Sequence, residues 1–581
     1  MDKLVYTFTI AFLLTFSAIG QPNVLSVYPA QHRVDALADA TIRITFDEAM
    51  NPGTIDHSVL RVFGRWSGPA NGTIIFENGN TELTFVPDQP FFAGEQVMVS
   101  LSKDAENGSG TSIDNGYAWS YWIATASGLL DQTLYDIIDL REEGEGLLQA
   151  YGAYAGDLNN DGYSDFTVIN ETSDDLRILL NDGNGDYNNM SVIPMGDGLP
   201  SPNEGADFNN DGNIDLAVCA FGVDTVRIFL GDGLGGFQMP PIKVKTGDAP
   251  RGIAILDIDA DGDDDIAVTN RFSHDMTIIT NDNGSFTTST FDPLGTGETA
   301  IAMADANNDG ISDLFIGMYN SQELAILLCD GNGGLSMSDK VSVIGRPWMI
   351  ATGDLNNDGN ADVVSANSNA HTVVVSLGDG NGNLSTPISY PSNDAFFPLA
   401  IDLGDIDGDG DLDMVSSNYS STTFIVFEND GNGAFSVAST LSAPEHASCA
   451  ILHDRDNDGD LDISGTDEGA DVIMLFENEL TVSTETPFVG LSDISVFPNP
   501  FSDKVNIEYE LNQSMDITVS IQDLTGKLIS TLHDGIHSQG KHNLLWSGSN
   551  NSGIIVANGV YLVTIEAEGR MQSREVTFIR Q

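Results

Sequence analysis

Basic residues are scarce in this chain: 22 Lys+Arg stand against 86 Asp+Glu in 581 residues, a formal net charge of −64. Nucleic-acid affinity rests on Lys and Arg neutralising phosphates, so no nucleic acid is expected as a partner. An anionic membrane surface repels the chain for the same reason. Cysteine is nearly absent too. Cys219, Cys329 and Cys449 lie more than a hundred residues apart, with no CxxC and no Cys/His cluster. That excludes zinc fingers, thioredoxin chemistry and a disulfide scaffold. Each lies in or beside an apolar, strand-like stretch and reads as a buried, inert thiol. Long hydrophobic runs are also missing. The one candidate, Leu4–Phe16, falls short of the roughly 20 residues a membrane span needs. It follows Lys3 and precedes Ala18 and Gly20 at the −3 and −1 places of a signal-peptidase site. Residues 1–20 are therefore expected to be a secretory signal cleaved near Gly20. The mature chain is then secreted or attached to the outer cell surface, without a transmembrane helix.

Glycine, by contrast, is abundant. Sixty Gly with 21 Pro, in a chain that is 41% hydrophobic, mark an all-β protein with ordinary cores and many tight turns. One nine-residue string recurs seven times at intervals of 48 to 51 residues. It reads DLNNDGYSD at 157–165, DFNNDGNID at 207–215, DIDADGDDD at 257–265 and DANNDGISD at 305–313. The remaining copies are DLNNDGNAD at 354–362, DIDGDGDLD at 405–413 and DRDNDGDLD at 454–462. Every copy has the form D-x-[D/N]-x-D-G-x-x-D.

That spacing is the chemistry of a calcium loop. Calcium takes six to eight hard oxygens at about 2.3–2.6 Å in a flexible shell. Side chains at positions 1, 3 and 5 converge, position 7 offers its carbonyl, and Gly at position 6 permits the sharp turn. The glutamate that closes an EF-hand at position 12 is missing; Asp at position 9 closes the shell, and apolar β-type residues follow instead of a helix. The expected ligands are Asp157, Asn159, Asp161, Tyr163 and Asp165; Asp207, Asn209, Asp211, Asn213 and Asp215; Asp257, Asp259, Asp261, Asp263 and Asp265. They continue as Asp305, Asn307, Asp309, Ile311 and Asp313; Asp354, Asn356, Asp358, Asn360 and Asp362; Asp405, Asp407, Asp409, Asp411 and Asp413; Asp454, Asp456, Asp458, Asp460 and Asp462. About seven Ca²⁺ sites are thus expected. Magnesium is the weaker candidate, since it demands a stricter octahedron. The seven strings hold 28 of the 86 acidic residues, so much of the charge surplus lies elsewhere, where it favours solubility or equally reflects a saline habitat.

Each period also reads as four strands, with a Gly/Asn/Asp turn such as NDGNGDY or GDGLGGF before the fourth. The seventh period stops at Leu475-Phe476-Glu477-Asn478 and lacks that strand, while a β-stretch near Leu134–Leu140 precedes the first loop. Four-stranded sheets repeated seven times predict a seven-bladed β-propeller over 128–482. The strand near Leu134 is expected to complete the last blade and hide its edge.

The repeats resemble the FG-GAP/VCBS repeats of integrin α-subunit propellers and of bacterial secreted proteins. That resemblance implies calcium in the hairpin between the first two strands of each blade, and ligand recognition as the usual role. Residues 21–127 alternate as a small β-sandwich. Their strings VYPA, ITFDEAMNP and LTFVPDQPFFAGEQVMVSL resemble the Ig-like domain of bacterial surface-layer proteins of the SbsA type. After a linker at 483–493, residues 494–581 carry Val496-Phe497-Pro498-Asn499-Pro500-Phe501, Leu524-Thr525-Gly526-Lys527, Asn558-Gly559-Val560-Tyr561 and Arg580. They resemble the type A C-terminal sorting domain of the type IX secretion system of Bacteroidetes, a β-sandwich. The type IX machinery is the partner this resemblance implies.

No HExxH, G-x-S-x-G or P-loop string is present, so no catalytic residue is assigned and the reading leans away from an enzyme. His533, His537 and His542 are expected in a solvated turn. In a meander, the calcium turns and the NDGNG turns share one face of the ring. The opposite face carries connections that differ from blade to blade: Arg271, Phe272, Tyr319, Arg346, Trp348, Phe396, Phe397 and Tyr419. Aromatics with Arg on a polar rim suit a glycan or protein ligand, while residues of this kind also pack between blades. The expected function is adhesion or carbohydrate/protein recognition. The alternatives are a lyase-like polysaccharide-degrading propeller and a passive component of the cell surface or matrix.

Overall fold

The computed structural model describes residues 21–392, 396–478, 495–499, 501–502, 504–511, 514–522, 527–551, 554–567 and 570–580. The expected leader, the linker at 483–493 and most of the Leu524–Lys527 string lie outside them. The described residues are all-β, with no helix. The chain divides into two compact units, Met1–Glu479 and Leu480–Gln581.

Seven four-stranded antiparallel sheets follow one another in the first unit. The first is Ala150–Gly156, Asp165–Asn170, Asp175–Leu180 and Asn189–Pro194, paired in chain order. The second strand of each sheet is buried at every position. Packed between neighbouring blades on both faces, it reads as a continuous apolar run such as Asp265–Asn270 (DIAVTN) rather than as an alternation. Outer strands such as Asn189–Pro194 are mostly exposed. Inner strands of successive sheets pack side by side, and the last, Ala447–His453, packs on the first, Ala150–Gly156. The ring is therefore closed, a seven-bladed propeller.

Closure is made by the strand expected to make it. Thr133–Asp139 pairs with Val472–Glu477 as fourth strand of the last blade, in a register running from Val472 opposite Asp139 to Glu477 opposite Thr133. The edge that Val472–Glu477 would otherwise leave open is covered.

The N-terminal domain is a sandwich of two four-stranded sheets between Val24 and Trp122. Its core holds Ile42, Ile44, Phe85, Val97, Val99, Trp119 and Tyr121. Burying each such side chain contributes about 1.5–3 kcal/mol. The second unit has a three-stranded and a four-stranded sheet around Val505, Ile507, Val519, Trp546 and Val563. The three cysteines are free and buried, and burial pushes the Cys219 and Cys449 thiols up to about 12.

Candidate functional site

The seven D-x-[D/N]-x-D-G-x-x-D strings form the hairpins between first and second strands, all at one end of the ring. In the first, both oxygens of Asp157 accept backbone N–H groups, from Asp161 at 3.0 Å and Gly162 at 2.9 Å. Asp165 accepts from Leu158 at 3.0 Å and from Asn181 at 2.8 Å, tying the hairpin to the end of the third strand. The Asn181-type contact recurs in all seven blades. Gly at position 6 has φ between 80° and 100° in every copy, a backbone that a Cβ resists.

Position 9 is where the electrostatics concentrate. Burial pushes the carboxyls of Asp165, Asp313 and Asp362 up to about 7, Asp215 and Asp413 to about 8, and Asp265 to about 9. Neighbouring loop carboxylates push in the same direction. In the acid-rich loops, one oxygen from each of Asp257, Asp259 and Asp265 lies within 4.8 Å of the others, as do those of Asp405, Asp407 and Asp413. Asp454, Asp456 and Asp458 converge likewise. Desolvated carboxylates facing one another are stable as anions only beside a cation, and an all-oxygen set of this kind fits a hard divalent ion.

Position 4, an unspecified x in the motif, matters too. Asn160, Asn210, Ala260, Asn308, Asn357 and Asn457 all take positive φ there, near 60°, which Asn tolerates better than most residues. Asn160 donates to Asn213 of the next loop at 3.0 Å, Asn210 to Asp263 at 2.7 Å and Asn308 to Asn360 at 2.8 Å. Asn457 of the last loop reaches Gly162 of the first at 2.8 Å. The repeated NN and DN pairs were the visible signal.

The N-terminal domain sits on this end of the ring. Arg61 donates to the carbonyls of Gly262 at 2.9 Å and Asp207 at 3.0 Å, and pairs with Asp264. Ala118 and Ala126 N–H donate to Gly310 and Gly459 carbonyls, each at 2.6 Å, and Thr125 to Asp405 at 2.9 Å. Lys103 bonds the Asp259 carbonyl. The seven inner strands and this domain enclose a cavity of about 260 Å³, into which Arg65 reaches to pair with Asp402 at 2.8 Å.

At the opposite end, the structure brings the eight predicted recognition residues onto one surface. Tyr319 and Trp348 meet edge to face at 5.3 Å, Trp348 and Phe397 lie 6.0 Å apart, and Phe397 and Tyr419 6.1 Å. Arg271 lies 4.6 Å from the Tyr319 ring centre and 4.9 Å from that of Trp348, and Arg346 4.9 Å from Tyr319. Phe272 packs on Phe221, and Phe396 on His371. Tyr319 is buried and Phe396 exposed.

Sequence reasoning missed the floor of this mouth. The Trp348 indole donates to the Tyr151 hydroxyl at 2.8 Å, joining the fifth blade to the first, and Arg251 stacks on both rings. Arg251 also pairs with Glu171 at 2.9 Å, and Glu468 accepts from Gln149 at 2.6 Å. Burial, aided by Glu171, pushes the Glu468 carboxyl up to about 7. His446 stacks on Tyr419 at 4.4 Å. These positions are equivalent around the ring: Tyr151, Arg251 and Trp348 each follow the first residue of an inner strand, and Glu171, Arg271, Tyr319, Tyr419 and Glu468 each follow a second strand. Aligning the seven periods at their far ends would have shown them.

The His533, His537 and His542 expectation needs correction. They lie on the strands Leu528–His537 and Gly540–Trp546, with rings stacked at 3.6 and 4.0 Å beside Tyr509. They are strand residues, not residues of a solvated turn: His533 and His537 share one strand, and His542 stands opposite Tyr509 in the other sheet.

Residues 157–464 match the FG-GAP-like repeat in six overlapping segments, more than half of the chain. The chain belongs to the FG-GAP-like repeat family. Outside this FG-GAP region, residues 18–122 match a bacterial Ig-like domain and 500–570 the FlgD Ig-like domain. No curated protein matches the chain. Among solved structures, virginiamycin B lyase from Staphylococcus aureus is similar at 12% identity and TM-score 0.41, covering 59% of this chain and 98% of that one. An auxiliary nutrient binding protein from Bacteroides ovatus is similar at 12% identity and TM-score 0.35, covering 79% and 99%.

Proposed function

We propose that this FG-GAP protein is an exported recognition protein, secreted or held at the outer cell surface, whose loops carry calcium and whose open mouth binds a ligand. The observation that carries the reading is the convergence of Arg271, Arg346, Tyr319, Trp348, Phe397 and Tyr419 at the end of the ring that the N-terminal domain leaves uncovered. Aromatic rings with arginine on a rigid scaffold are the composition of binding hot spots. Calcium, held by the side-chain oxygens at positions 1, 3, 5 and 9, supplies charge compensation and order to the hairpins rather than chemistry. The C-terminal unit is assigned, on the strings that resemble it, to passage through the type IX machinery.

The test is retention of the intact mature chain on arrays of glycans and matrix proteins, with calcium and again with EGTA. Selective retention that Trp348→Ala abolishes supports the reading; retention indifferent to Trp348→Ala and Tyr419→Ala overturns it. A polysaccharide-degrading activity is favoured by one feature, the Glu468 carboxyl raised to about 7 beside Glu171. Release of new reducing or unsaturated ends, lost in Glu468→Gln, would establish that activity instead.

A further inference from the structure

The chemistry of the ligand is legible in the charge of the mouth, granted that the mouth is the binding site. Three of only 22 basic residues, in a chain of net charge −64, meet on this small area. Arg251 is answered by Glu171 and by the Ser201 hydroxyl at 2.8 Å. Arg271 and Arg346 have no carboxylate partner and no side-chain hydrogen bond among the described residues, and the Arg346 Nε is buried without an acceptor. Their guanidinium groups are held by ring faces alone, at 4.6 to 4.9 Å. Burial and the nearness of Arg251 push the Arg271 pKa down. Uncompensated cations in a desolvated setting are unfavourable until an anion arrives. From the arginines, Trp348, Phe397, Tyr419 and His446 form a continuous row of rings towards the seventh blade. Glu468 lies beyond that row, its N–H bonded to the His446 carbonyl, so the row is cationic at one end only.

We propose that the ligand is an acidic polysaccharide, with a ring-borne carboxylate or sulfate received between Arg271 and Arg346 and neighbouring sugar faces resting on Phe397 and Tyr419. A run of acidic peptide would bring like charge against Glu468. A sugar polymer instead joins an anionic group to apolar ring faces, as the mouth sets its arginines beside a row of aromatic rings.

The experiment is calorimetric titration of the intact calcium-loaded chain with polygalacturonate, chondroitin sulfate, neutral dextran and polyglutamate. Polygalacturonate or chondroitin sulfate is expected to bind, more weakly as salt is raised, and which of them binds identifies carboxylate or sulfate as the anion. The double variant Arg271→Gln/Arg346→Gln should weaken that binding at least tenfold with an unchanged melting temperature, while Lys243→Gln, at an exposed outer-strand position, leaves it intact. Equal binding of dextran or polyglutamate, no binding of either anionic polysaccharide, or indifference to the double variant overturns the assignment. If an array ligand is lost with Trp348→Ala but not with the arginine variant, the mouth stands as the site and only its anionic specificity falls. If neither variant affects the retained ligand, the site itself is wrong.

Discussion

The two ends of the ring are built from the same seven hairpin meanders, yet they have opposite characters. At one end, each blade repeats the same carboxylate hairpin, the hairpins are bonded to one another, and the N-terminal domain covers them. At the other, equivalent positions are Glu171, Phe221, Arg271, Tyr319, Ser368, Tyr419 and Glu468. A repeated requirement makes a repeated sequence; a surface that meets one asymmetric ligand has no reason to be symmetric. Stability is thus expected to respond to the first end and binding to the second.

The largest effect should come from removing metal. Ligand binding to the folded state alone stabilises by about 2.7 kcal/mol per site at a hundredfold excess over Kd. Seven such sites predict that chelation lowers the melting temperature by more than about 15 °C. In chelator, stability should also depend on pH in an unusual direction. The folded carboxyls of Asp215, Asp265 and Asp413 lie at about 8 to 9, far above unfolded aspartate near 3.9, so the folded state holds more protons between those values. Stability is then fully present below about pH 4 and is lost as pH rises from there through 8 to 9. Calcium should abolish that fall. Scanning calorimetry from pH 5 to 8 with and without EDTA checks it; a rise with pH in EDTA would contradict it.

Next in size, Asp265→Ala should destabilise by about 2–4 kcal/mol even in chelator, because it orphans the N–H groups of Ile258 and Asn281. Asn159→Ala, whose carbonyl accepts only within its own exposed hairpin, should show its effect only when calcium is present. Equal losses from both variants would break the distinction between scaffold and ligand.

Smaller again, Arg61→Met should loosen the N-terminal domain by about 1–3 kcal/mol, since it removes the donor to two loop carbonyls and the cation paired with Asp264. Faster limited proteolysis around residues 125–132 is the readout. At the opposite end, Arg271→Gln should change stability by less than about 1 kcal/mol and in the favourable direction, because it removes an uncompensated charge beside Arg251. A clear destabilisation would mean that Arg271 is a structural residue.

The period of the D-x-[D/N]-x-D-G-x-x-D string by itself determined the blade count, the hairpin that each loop occupies and the strand that closes the ring. These follow from local rules: glycine where φ must be positive, alternating turns in a meander, and an edge that requires a partner. The eight residues of the variable face were also visible, as departures from that repetition. What the tertiary structure decided is everything that joins distant blades. Tyr151 and Trp348, 197 residues apart, share a hydrogen bond only because closure brings the first and fifth blades across one channel. Arg251 joins them because its blade shares that wall. The docking of the N-terminal domain rests on backbone carbonyls of the loops, which every residue possesses and no sequence pattern advertises. The stacked histidines at 533, 537 and 542 meet where strands of two different sheets pack, which spacing along the chain does not encode.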